Sequence, residues 1–233
     1  QYLYNTFKDT IDINRRNNKD HTTFMSAVFG NTNVEVIQYL YNTFKDTIDI
    51  NTQNKYNGYT AFMLAVKNNT NVEVIQYLYN TFKDTIDINK QDNHGDTAFM
   101  LAVRYNTNIA VIQYLYNTFK DIIDINQQDI SGDTLFMFAI SNNKNDEVIQ
   151  YLCDTFKNTI DINKQNYYGN TALMLAVLNN INIEVIQYLC NTFTNTIDIN
   201  RQNFLSDPTY LKQNYYKDTA FMLAARYNTN VAV

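Results

Sequence analysis

The stretch VIQYLYNTFKDTIDIN, residues 36–51, returns letter for letter at 74–89 and with one change at 111–126. A catalytic constellation is assembled once from unlike parts, so this repetition points to a stack in which each unit makes the same contacts with the next. Working outward, Gln1, Gln38, Gln76, Gln113, Gln150 and Gln187 recur at steps of 37 or 38. Thr22, Thr60, Thr97, Thr134, Thr171 and Thr219 mark the other half of the unit, and their last step, 48, holds an insertion of 11 residues. The units are 15–51, 52–89, 90–126, 127–163, 164–200 and 201–233, the last with its insertion at about 201–211. The array is expected to be cut within a unit at both ends.

Two helices are predicted per unit. In TAFMLAVKNN (60–69), Thr60 is an N-cap, Phe62, Ala65 and Val66 share a face, and the Asn run ends the helix. In the second, Asn71 caps, Glu73 favours the positive helix start, and Val74, Leu78 and Phe82 form an i, i+4, i+8 stripe. The polar link over 87–96 reads as a projecting turn, with Gly95 where a positive φ is needed. One helix pair cannot bury both of its faces, so neighbouring pairs must do it. The expected fold class is an all-α solenoid of stacked antiparallel helix pairs with projecting turns.

Composition narrows the function classes. The chain of 233 residues is 45% hydrophobic and 18% charged, which argues against disorder. Its net charge of -5 lacks the clustered cations of a nucleic-acid surface, and no apolar run reaches the roughly 20 residues of a membrane span. A single Pro, five Gly and no Trp beside abundant Asn, Ile, Lys, Tyr and Phe match AT-rich coding DNA. Cys153 and Cys190 sit one repeat apart, too far for a disulfide between adjacent helices, and read as free thiols of a reducing compartment. His21 and His94, the two histidines, lie near neither cysteine, so no metal site is expected.

GDTAFMLAV (95–103) and GNTALMLAV (169–177), with VIQYL and IDIN downstream, resemble the ankyrin repeat, whose unit runs Gly-x-Thr-Pro-Leu-His-Leu-Ala-Ala, then Val-x-x-Leu-Leu, then Gly-Ala-Asp-x-Asn. The resemblance covers essentially the whole chain. This unit is longer than the family's 33 or so residues, and a longer outer helix is expected. Ala61, Ala98, Ala172 and Ala220 replace the family's Pro. Met25, Met63, Met100, Met137, Met174 and Met222 replace its His, so an apolar ladder is expected where the family has a polar one. The helix-ending Gly is missing too, leaving the Asp and Asn of IDIN to cap the turn.

Repetition also makes columns. The Met column and Phe44, Phe82, Phe119, Phe156 and Phe193 read as core rather than as a soft-metal face or a base-stacking platform. Asp49, Asp87, Asp124, Asp161 and Asp198 stand one per unit, too far apart for the converging oxygens of a calcium site, and read as turn caps. Neither a Ser-His-Asp set, nor a phosphate loop, nor a Cys-His nucleophile occurs, so no catalysis and no cofactor are expected.

Positions that differ between units are where a specific surface can live. As the resemblance implies, turn tips and the exposed side of the first helix should line a groove for a protein partner. The candidates are Tyr56, Tyr59, His94, Arg104, Tyr105, Tyr167, Tyr168, Leu178, Tyr215 and Tyr216, with Phe204, Leu205 and Tyr210 of the insertion as a further contact finger. The leading expectation is a cytoplasmic or host-cell scaffold of viral or protist origin that binds protein, not nucleic acid or membrane. Its rivals are a self-assembling fibre or coat protein and the targeting arm of a larger adaptor or enzyme.

Overall fold

A computed structural model describes residues 2–7, 10–142, 146–179, 182–203 and 217–227. Its helices are, in chain order, α1 (Tyr2–Phe7), α2 (Thr23–Gly30), α3 (Val34–Phe44), α4 (Ala61–Asn68), α5 (Val72–Phe82), α6 (Ala98–Tyr105), α7 (Ile109–Phe119), α8 (Leu135–Asn142), α9 (Asp146–Phe156), α10 (Ala172–Leu178), α11 (Ile183–Thr192) and α12 (Ala220–Tyr227). Inner helices pack in succession, α2 on α4 on α6 on α8 on α10 on α12, and outer helices α3, α5 and α7 do likewise. The one β feature among the described residues is an isolated bridge between Gln128 and Thr134.

Local chemistry sets the helix ends. The Thr60 hydroxyl accepts from the Met63 N–H at 3.1 Å, and Thr97, Thr134 and Thr171 repeat the contact with Met100, Met137 and Met174. In return the Met63 sulfur accepts the Thr60 N–H at 3.4 Å, and the other three methionines do the same. This reciprocal cap uses a thioether where Glu or Gln is usual. The expectation of an apolar methionine ladder is therefore corrected in part, since these four sulfurs also satisfy an N–H at a helix start. Asn71 caps α5 by accepting from the Glu73 N–H at 3.0 Å.

Outer helices α3, α5, α7 and α9 run 11 residues against eight for α4, α6 and α8. After α5 the chain turns as the Phe82 carbonyl accepts from the Thr85 and Ile86 N–H groups. Asp87 then accepts from the Asn89 N–H, and Asp49, Asp124, Asp161 and Asp198 do the same two residues on. The acidic column is a column of turn caps.

The core runs the length of the stack. Val74, Leu78 and Phe82 are buried, with Phe119, Phe156 and Phe193 in the same column, while Phe44 is half-buried. Tyr77, Tyr114, Tyr151 and Tyr188 pack half-buried against this core. Met25, Met63, Met100, Met137 and Met174 are buried, each beneath the next inner helix, while Met222 is 49% exposed with no inner helix after α12 among the described residues. Cys153 is buried, Cys190 half-buried, and both are free.

Candidate functional site

Each projecting turn begins with an Asn or Asp whose side chain ties the loop. Asp92 Oδ1 accepts from the His94 N–H at 2.7 Å and the Asp96 N–H at 2.9 Å, and Asp129 and Asn166 make the equivalent pairs. Gly95 has φ +81°, as the sequence required. At Gly132 a Cβ would stand 2.9 Å from both the Tyr167 backbone N and its ring, so that tip also needs glycine to let the next one approach. Successive tips are joined by backbone bonds: Asn93 N–H to the Asn57 carbonyl, Ile130 N–H to that of His94, and Tyr167 N–H to that of Ser131. A row of tips results whose backbone is already ordered and which presents Tyr56, His94, Ile130, Tyr167 and Tyr168 to solvent.

A second pattern lies beneath the tips. In four of the six units the residue before the N-cap Thr meets the residue eight positions later, at the end of the inner helix. Asp96 pairs with Arg104 at 3.0 Å and Asp218 with Arg226. The Tyr59 hydroxyl accepts from Lys67 Nζ at 2.9 Å, and the His21 ring meets that of Phe29 at 5.9 Å. Asp133 faces a serine, Ser141, at the corresponding position and instead accepts from the Asn166 amide at 2.7 Å.

This pairing changes the status of several predicted contact residues. Tyr59 is 8% exposed, committed to Lys67 and to the core, not to a tip. Arg104 is half-buried, bound to Asp96 with its guanidinium over the Phe138 ring at 4.4 Å. Leu178 packs half-buried against the core. Tyr56, Tyr105, Tyr167 and Tyr168 are exposed as expected, at 68%, 43%, 57% and 55%. Tyr215 and Tyr216, with Phe204, Leu205 and Tyr210 of the insertion, lie outside the described residues. The structure adds Phe29, Lys67 and Ile130. The spacing of eight between Asp96 and Arg104, repeated at Asp218 and Arg226, was the sequence signal that could have exposed the pairing.

Electrostatics follow from burial. Asp96 is pushed up to about 6 by burial and by the neighbouring Asp92 charge, with Arg104 pulling the other way. Its Oδ1, the Asp92 Oδ2 and the Arg104 Nε are buried without a hydrogen-bond partner. Burial holds the Lys67 ammonium below its usual value against the pull of Asp92, and it lifts the Tyr59 phenol to about 12. Among the described residues no group of three or more His, Cys, Asp or Glu is placed to hold a metal ion.

Solved structures share the fold. A chain from the complex of the Bd0816 predatory endopeptidase of Bdellovibrio bacteriovorus with immunity protein Bd3460 superposes with a TM-score of 0.62 at 23% identity, covering 82% of this chain and 89% of that one. The ankyrin repeat domain of Bcl-3, described as a unique member of the IkappaB protein family, gives 0.66 at 22% identity, covering 96% and 86%. A comparison with curated proteins gives no match. The family described as Ankyrin repeats (3 copies) matches residues 24–129 and 116–203, which is most of the sequence. With its threonine-capped inner helices, its longer outer helices and its hydrogen-bonded row of tips, the chain belongs to the ankyrin repeat family.

Proposed function

We propose that the chain is a non-catalytic scaffold that holds an intracellular protein partner against its turn tips and inner-helix ends. The observation that carries this reading is the row of exposed side chains Tyr56, Ile130, Tyr167 and Tyr168 on tips whose backbone is already hydrogen-bonded from one unit to the next. Tyrosine brings large contact area at low entropic cost, and an ordered backbone removes the cost of ordering loops on binding. Ankyrin repeats in general mediate protein–protein interaction, which supports the class of partner. The two free cysteines suit a reducing compartment.

Site-specific photo-crosslinking tests the surface. A benzophenone amino acid placed at Tyr56 or Ile130 should capture a protein from cell extract, and the same probe at Lys120 on the outer face should not. Changing Tyr56, Tyr105, Tyr167 and Tyr168 to Ala should abolish capture with the helical circular dichroism unchanged. Equal capture from Lys120 would move the binding face to the outer helices.

A further inference from the structure

Tip and inner helices enclose one groove whose chemistry differs from the rest of the row. It measures about 430 Å³ and is walled by Phe29, Tyr56, Tyr59 and Leu64, with Lys19, His21 and Lys67 as its titratable groups apart from the tyrosines. No carboxylate lines it, although the chain as a whole carries a net charge of -5.

Comparison between units explains why Lys67 stands apart. In the units of Arg104 and Arg226 the cation at the end of the inner helix is paired with an acid eight residues earlier. In the unit of Lys67 that acid is replaced by Tyr59, which offers a neutral hydroxyl. The ammonium is clamped over the Tyr59 ring at 4.6 Å and the Tyr105 ring at 4.2 Å, which fixes its position, and the Asp92 and Asp96 carboxylates that act on it stand beyond ion-pair distance. It donates to the Tyr59 hydroxyl and has no ion-pair partner among the described residues, so donors of the three it carries remain for an outside acceptor. Lys19, over the Phe29 ring at 5.6 Å, brings a second cation to the same groove. Asp20, beside His21 in sequence, is already engaged by Arg16 and by the Lys55 N–H.

We propose that this groove receives a carboxylate side chain of an acidic partner segment on Lys67 and Lys19, with an adjacent apolar side chain of that segment against Phe29 and Tyr56. This rests on the scaffold reading above and names the chemistry of the partner at one end of the row. Charge complementarity is the argument for the occupant: a cationic, aromatic groove in an acidic chain selects anion and apolar surface together.

The test is an array of short random peptides probed with the intact chain. Bound sequences should be enriched in Asp or Glu next to Leu, Phe or Tyr. Resynthesis of a bound peptide with each Glu changed to Gln should weaken it about tenfold, the scale of one charge-assisted hydrogen bond. Lys67→Gln should lose the same factor for the acidic peptide and nothing for its neutral form, and Lys67→Arg should restore part of it. Equal affinity for acidic and neutral peptides, or full affinity in a folded Lys67→Gln protein, overturns the proposal. If crosslinking at Tyr56 or Ile130 nonetheless captures a partner, the scaffold reading survives alone. If neither peptides nor protein are held, both fall.

Discussion

Asp96 shows how the pairing beneath the tips governs a single side chain. It is 2% exposed, bonded through one oxygen to Arg104, and its other oxygen has no partner. Burial and the Asp92 charge lift its carboxyl from the ordinary 3.8 to about 6 despite the arginine. A raised carboxyl pKa means that the folded chain holds this proton more tightly than the unfolded chain. Ionising Asp96 therefore withdraws stability as pH rises through 3.8 to about 6, and the loss is complete above that window. A carboxyl titration followed by NMR should place its midpoint near 6, and Arg104→Gln should move it higher. A midpoint below 4 would mean that the guanidinium, not burial, sets the environment. Tyr59 teaches a related lesson. From sequence it resembled Tyr56, three positions earlier, yet Tyr59 is buried with the Lys67 ammonium on its hydroxyl and ring while Tyr56 is exposed.

At the scale of the helix, the methionine column has two tasks. Met100 fills the core between inner helices, and its sulfur accepts the Thr97 N–H at 3.5 Å. Met100→Ala should cost about 2–5 kcal/mol in urea denaturation, the range for emptying a buried site. A cost within about 0.5 kcal/mol, the range of an exposed surface position, would show that burial of this side chain adds little. Helix positions were legible beforehand because caps and apolar spacing act within one turn or two: Thr60 and Asn71 start their helices where the sequence placed them. The thioether cap was not legible, since a flexible methionine carries no local signature of where its sulfur will lie.

Across the whole molecule, asparagines join unit to unit. Asn126 donates from its amide to the Thr159 carbonyl and accepts from the Asp161 N–H, both at 2.8 Å, and Asn163 repeats this toward Thr196 and Asp198. Nearer the inner helices, Asn106 reaches the Val66 and Asn69 carbonyls of the preceding unit, as Asn69 does those of Val28 and Asn31. Polar ladders thus exist, displaced from the position where the family has histidine. Removing two hydrogen bonds by Asn126→Ala should cost about 1–2 kcal/mol. Because stability in such an array is a sum over neighbours, amide exchange should quicken mainly in 127–203 and much less in 15–89. Uniform acceleration along the chain would instead show a single cooperative block.

Periodicity, composition and local caps determined the all-α stack, the length of its unit and the two helices within it. The physical reason is that repeated apolar stripes, threonine and asparagine caps and turn residues act over a few positions and can be read from their order alone. Tertiary structure decided which of the variable residues remain available to a partner. Arg104 meets Asp96 while Lys67 meets a tyrosine hydroxyl and two tyrosine rings, and Tyr59 sinks while Tyr56 stands out. Those outcomes depend on where a tip places one side chain over the end of an inner helix and on which units flank it. Such distances between elements are set only when the stack is assembled.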